Sequence, residues 1–131
     1  MFTTNVFDYT NILDKAADAS WMRENVITNN IANIDTPGYK RQDVDFESVL
    51  QKALGKTKYS SLDKKVRELN QDLGKLTTTS YTDAANYSYR LDRNNVDENT
   101  ENAELASKSL RYQLLTTAIT NNFSRMQTVL K

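Results

Sequence analysis

Thr28-Asn-Asn-Ile-Ala-Asn-Ile-Asp-Thr-Pro-Gly-Tyr-Lys40 holds three asparagines and the only proline of the chain, and it joins a long helical pattern to an extended one. Asn33 can leave a helix through the left-handed conformation that asparagine tolerates better than other non-glycine residues. The helix is therefore expected to stop there. Pro37 fixes its own φ and drives Thr36 to an extended conformation, while Gly38 supplies the positive φ that a type II turn needs after proline. Tyr39 is thereby aimed as an anchor. By spacing alone the segment reads as a helix end and a turn, with no catalytic group in it.

Upstream, the pattern is helical from about Val6 to Asn33. Tyr9, Leu13, Ala16, Ala17, Ser20, Ile27, Ile31 and Ile34 recur at helical spacings and form one narrow stripe. The small side chains at Ala16, Ala17 and Ser20 permit close approach of a partner helix. Such a helix is roughly 40 Å long at 1.5 Å per residue, more than a small globule covers by itself.

The partner lies at the other end of the chain. Leu105, Tyr112, Ile119 and Met126 are spaced by heptads, flanked by Thr116, Phe123 and Leu130, and widened by Leu115 and Val129. Asp97, Glu98, Glu101 and Glu104 cluster at the start of this helix and Lys108, Arg111, Arg125 and Lys131 lie later, which complements the helix dipole. Asn121 and Asn122 can set register across a packed seam.

Between the two helices, Asp45 can cap a short helix with apolar residues Phe46, Val49, Leu50, Ala53 and Leu54, ended by Gly55. A second short helix fits Leu62 to Leu73, capped by Ser61 and closed by Gly74. Segments 76–82 and 87–91 are rich in threonine and tyrosine around Asp83-Ala-Ala-Asn86, a β-hairpin or a loosely ordered arm. The fold class is thus mostly α: long N- and C-terminal helices in a coiled-coil-like pair, with a small irregular middle.

Composition excludes much chemistry. The 131 residues suit one modest domain, and the mean hydropathy of −0.69 is polar. Cysteine and histidine are both absent, which removes disulfides, thiolate metal sites and the usual general base. No run reaches the roughly twenty apolar residues that span a bilayer, and Met1-Phe-Thr-Thr-Asn has neither the basic nor the apolar region of a secretory signal. Net charge is zero. Acids outnumber bases in residues 1–50 and the reverse holds in 51–93, a solvated surface or a means of docking identical subunits in register. No cofactor or metal is expected.

The words Asn29-Asn-Ile-Ala-Asn-Ile-Asp-Thr-Pro-Gly-Tyr-Lys-Arg41 resemble the N-terminal signature of the bacterial flagellar rod, hook and hook-associated proteins. Within them Asn29, Asn30, Ile31, Ala32, Asn33, Thr36, Pro37, Gly38, Tyr39 and Lys40 carry the motif. Leu91-Asp-Arg-Asn-Asn-Val-Asp97 with Glu101, Ala103, Leu105, Ala106 and Leu110-Arg-Tyr-Gln113 is similar to the C-terminal end of that family. Asp97 after Val96, without the paired glutamates of hook-type members, favours a proximal rod member. The likeness covers roughly the first 50 and last 40 residues, and Thr28 departs from the alanine common there.

The resemblance implies an N-terminal assembly helix and turn (residues 1–40), a partly extended or flexible middle (41–93) and a C-terminal coiled-coil-like helix (94–131). It implies a structural subunit that leaves the cytoplasm through the flagellum's type III export apparatus and lies in the basal-body rod. There it would associate with itself, with other rod subunits and with basal-body proteins, and transmit torque. The helix seam would run through Leu13, Ile27, Ile31, Leu105, Tyr112, Ile119, Phe123, Met126 and Leu130. Other readings compete. Asp43, Asp45 and Glu47 could form a carboxylate site, but no nucleophile, phosphate loop or metal cluster accompanies them. A monomeric helical adaptor could present Tyr112, Phe123 and Met126 as a groove. Nucleic-acid binding through Lys52, Lys56, Lys58, Lys64, Lys65 and Arg67 is weak in a neutral chain, and no small-molecule substrate is indicated.

Overall fold

A computed structural model describes residues 5–83 and 93–131. Six main elements run in order α1 (Asp8–Ala32), β1 (Gln42–Val44), α2 (Phe46–Gly55), α3 (Leu62–Asn70), β2 (Ser80–Thr82) and α4 (Glu98–Val129). Single 3-10 turns at Asn5–Phe7 and Leu73–Leu76 precede α1 and follow α3. The two terminal helices are long, at 25 and 32 residues.

Helix α1 is the axis on which everything packs. Its most extensive packing is with α4, and it also contacts β1, α3 and β2. The pair is antiparallel: the Asn30 amide reaches Glu101 at one end, and Asn122 reaches the Thr10 hydroxyl at 3.4 Å near the other. Thr10 and Ala17, seven residues apart on one face, are buried, as are Ser20 and Ile27. Small side chains at Thr10, Ala17 and Ser20 permit close approach of a partner helix.

A second face of α1 carries the apolar core. Ala19, Phe46, Leu69 and Leu76 form its buried cluster, with Ile12, Ala16, Leu50, Ala53, Leu54 and Leu73 packed around it. Burying a side chain such as Leu76 contributes about 2–3 kcal/mol. Ala16 therefore lies under α2 and α3 and not in the helix pair. Tyr9 also leaves the expected stripe, because it is half-exposed and its hydroxyl hydrogen-bonds Asp63 on α3.

The local signals mostly act as their chemistry dictates. Asp45 caps α2 by accepting the Ser48 amide at 3.0 Å, and the Ser48 hydroxyl together with this amide holds its carboxyl below the usual range. Asp97 caps α4, accepting the Asn99 amide at 3.3 Å and the Thr100 hydroxyl at 2.6 Å. The turn closes with the Tyr39 amide donating to the Thr36 carbonyl at 3.2 Å, and Gly38 has φ +72°.

Three expectations need correction. Asn33 ends α1 at φ −104° and ψ 18°, outside the left-handed region. It needs no reversal there, because its amide bonds the Asn29 and Asn30 carbonyls and its side chain bonds the Asn29 carbonyl at 2.8 Å. Ser61 occupies the cap position of α3 without a side-chain bond, and α3 ends at Asn70, where the Asn70 amide folds back on the Val66 carbonyl. Gly74 lies inside the following 3-10 turn. Segment 76–82 contributes β2, which pairs with β1, antiparallel, with Gln42 opposite Thr82 and Val44 opposite Ser80. The second arm of the expected hairpin, residues 87–91, lies outside the described residues.

Candidate functional site

The turn after α1 swings the chain back so that Tyr39 and Gln42 lie against the last full turn of that helix. Asn30 faces them from α1 with no solvent exposure. Its oxygen accepts the Gln42 amide and the Tyr39 hydroxyl, both at 3.0 Å. Its NH2 donates to the Gln42 carbonyl at 2.8 Å and to Glu101 Oε2 at 3.2 Å. Two donors and two acceptors are thereby all used, the full capacity of a carboxamide. Burial, and Glu101 beyond it, pushes the Tyr39 phenol up.

The opposite wall comes from the stretch leading into α4. Asn94, 1% exposed, donates at 2.9 Å to the carbonyls of Asn33, Ile34 and Thr36, and its own oxygen accepts the Val96 amide at 2.8 Å. These carbonyls belong to the helix end and the turn after it, where those of Asn33 and Thr36 also accept a backbone amide, so Asn94 fastens the end of α1 to the start of α4. Asn95 accepts the Arg41 amide at 2.6 Å, and Lys40 Nζ donates to the carbonyl of Arg93 at 2.6 Å. Arg93 has φ +64°, the left-handed region.

Glu101 completes the junction. It is the one buried residue of α4, at 1% exposure, and its carboxylate takes the Asn30 amide and the Arg41 guanidinium together. Burial alone would lower Arg41, but the bond to Glu101 outweighs it and raises the guanidinium further. A buried ion pair of this kind is costly to break from one side, at about 3–5 kcal/mol, because it strands a charge.

A second set of charges continues from Arg41. Asp43 meets Arg41 at 3.2 Å and Arg23 at 3.5 Å. Arg23 grips both oxygens of Glu47 at 3.1 and 3.0 Å and donates Nε to the Val44 carbonyl at 2.8 Å, and Arg111 of α4 closes on Glu47. Burial alone would raise Glu47, yet the Arg23 bonds and the Arg111 charge hold it down at about 2. Charges thus alternate from Arg111 through Glu47, Arg23, Asp43 and Arg41 to Glu101, linking α4, α2, α1 and β1.

The motif residues therefore fall into two groups. Asn30, Asn33, Tyr39 and Lys40 make specific bonds at the junction. Asn29 contributes its carbonyl to Asn33, Ile31 is half-buried, and Ala32, Thr36, Pro37 and Gly38 lie at the surface as the path of the turn. Of the seam, Ile27 is buried and Leu13, Leu105, Tyr112, Ile119 and Met126 are half-buried. Phe123 is half-exposed, its ring tilted against Phe7 with centroids 6.3 Å apart. Leu130 is 86% exposed and takes no part in the seam within one chain, since it follows the last residues of α4. Inner positions at Glu101, Lys108, Leu115 and Asn122, less than fully apolar, serve there instead.

The carboxylates Asp43, Asp45 and Glu47 do not converge on a site; two hold arginines and one caps a helix. Among the described residues, no three His, Cys, Asp or Glu side chains stand where they could hold a metal ion. No described helix is long and apolar enough to cross a membrane. Glu101 and Asn94 are the functional positions that spacing rules pass over, because polar residues score as surface. What the arrangement does is hold two long helices and a turn in one relative position.

Comparison with known proteins gives the same direction throughout. A family model described as "Flagella basal body rod protein" matches residues 22–40, the C-terminal part of α1 and the turn. "Flagellar basal body rod protein FlgB" of Bacillus subtilis (strain 168) is 33% identical over 120 residues, covering 90% of this chain and 89% of the relative. The protein of the same description from Borrelia hermsii is 30% identical over 97% of this chain and 99% of its own length. That of Escherichia coli (strain K12) is 34% identical, with 83% of each chain covered.

Proposed function

This chain belongs to the FlgB family of flagellar basal body rod proteins, and we propose that it builds the proximal rod by polymerising through its terminal helices. It is a structural subunit of the bacterial flagellar rod and resides in the basal body. Its partners are other rod components: further copies of itself, neighbouring rod subunits and basal-body proteins. Delivery runs through the flagellar type III export apparatus, to a position outside the cytoplasmic membrane. It performs no chemical reaction and takes no cofactor, nucleic acid or small-molecule substrate.

The observation that carries this reading is the junction at Asn30. The two stretches that resemble the family, one at each end of the chain, meet there through Asn30, Gln42, Arg41, Asn94 and Glu101. A subunit that passes torque must keep its helices from sliding along each other, and directional polar bonds resist sliding better than an apolar seam alone. The outer sides of both helices remain for neighbours. Trp21, Leu110 and Leu114 are all more than half exposed there.

Deletion of the gene, followed by electron microscopy of basal bodies, tests the reading. Loss of the rod with restoration by the intact chain is the expected outcome. Intact rods and normal swimming without the chain would refute it and favour an adaptor.

A further inference from the structure

The corner between α2 and α3 gathers charge and apolar surface that the junction does not use. In a chain of zero net charge, residues 56–67 hold five bases, Lys56, Lys58, Lys64, Lys65 and Arg67, and one acid, Asp63, which accepts the Tyr9 hydroxyl. Positions 58–64 are exposed without a break. Among them stand Tyr59, 49% exposed, and Leu62, 56% exposed. Tyr59 lines an open hollow with Lys58, Lys64 and Arg67, completed by Glu68 and Gln71. Lys52, Lys56 and Lys75 line a second hollow that shares Glu68 with the first. Among the described residues Lys56, Lys58, Lys64 and Lys65 have no ion pair, and Arg67 bonds a neutral partner, Asn5, at 2.9 Å. No side chain caps α3 at Ser61, so the first amides of that helix add to the positive field.

An occupant must answer both the bases and the two apolar side chains between them. A peptide is held by a groove or by a free strand edge, and the exposed run 58–64, a turn and a helix start, is neither. Nucleic acid answers the bases and leaves Leu62 in water. An anionic bilayer offers phosphates at its surface and hydrocarbon beneath, with tyrosine favoured at the level between. No described helix is long and apolar enough to cross a membrane, so the contact is peripheral.

We propose that the α2–α3 corner binds the anionic surface of a phospholipid bilayer, with lipid phosphate in the hollow of Lys58, Lys64 and Arg67 and with Tyr59 and Leu62 at headgroup level. This goes beyond the rod reading, and its test does not depend on it. The purified full chain is sedimented at low salt with vesicles of phosphatidylcholine, with or without phosphatidylglycerol. Binding is expected only where phosphatidylglycerol is present. Lys58→Ala with Lys64→Ala should weaken it by about twenty-fold, and Tyr59→Ala with Leu62→Ala by about ten-fold. All four side chains are exposed, so the circular dichroism spectrum should not change. The natural chain has one tryptophan, so Tyr59→Trp in a Trp21→Phe background reports from the corner alone. Its emission should shift to the blue on phosphatidylglycerol vesicles.

Failure to sediment with phosphatidylglycerol vesicles overturns the proposal, as does binding that survives both double variants. Release by millimolar inorganic phosphate at constant ionic strength overturns it in favour of a site for a free anion. Equal binding to polyglutamate or to DNA, with no shift of the tryptophan emission on vesicles, overturns it in favour of an acidic protein or a nucleic acid.

Discussion

Replacing Asn30 with alanine would test whether the junction is held by polar bonds. The side chain is fully buried and makes four bonds, so its loss leaves the Gln42 amide and carbonyl, the Tyr39 hydroxyl and Glu101 Oε2 each short of one partner. An orphaned buried polar group costs about 1–3 kcal/mol. Tyr39 and Gln42 are half-buried and regain part of this from water, whereas Glu101 does not. The sum is about 4 kcal/mol, a large share of the 5–15 kcal/mol typical of a domain. At roughly 3–4 °C per kcal/mol for a chain of this size, the melting temperature should fall by about 12–16 °C. Thermal and denaturant unfolding followed by circular dichroism measure both quantities. Asn30→Asp is the sharper variant: it keeps the acceptor for Gln42 but turns both donors into an acceptor facing Glu101, and should be at least as damaging as alanine. A cost below about 1 kcal/mol for Asn30→Ala would refute the reasoning.

Four further outcomes follow from the same structure. Glu47 lies near 2 in the folded chain against 4.5 when free, so its contribution is present above pH 4.5 and fades as pH falls toward 2. The stability gap between the natural chain and Glu47→Gln should close over that range in acid-unfolding curves, and should stay within about 1 kcal/mol because the side chain is 43% exposed. Gly38→Ala meets no atom within 4 Å but must hold φ +72°, so it should cost about 1–2 kcal/mol from backbone strain alone. Leu76→Ala should cost about 2–5 kcal/mol, and Leu130→Ala less than about 0.5, in the same unfolding assay.

The parts of the fold legible in the sequence were those set by neighbours in the chain. The Asp45 cap, the Pro37-Gly38 turn and the long apolar periods of α1 and α4 each depend on residues a few positions apart. Pairing of β1 with β2 depends on residues nearly forty positions apart and three residues long, too short to carry a pattern. The position of α4 was legible only in part. Its apolar heptads mark the inner face, but the residue buried most deeply is Glu101, which by composition reads as one more acid favouring the helix dipole. Asn94 likewise reads as a loop residue until the carbonyls of Asn33, Ile34 and Thr36 are brought to it. Polar burial depends on a partner that only the folded chain supplies.

Strand β1 has a further consequence for a subunit of the rod. One edge is paired with β2, and on the other edge side chains take the main-chain groups: Asn30 both groups of Gln42, Arg23 the Val44 carbonyl, Asp43 the Val44 amide. An open strand edge is a template for any extended chain. Here that edge offers nothing to copy. Association by strand addition is blocked along β1, where any contact must be made by side chains.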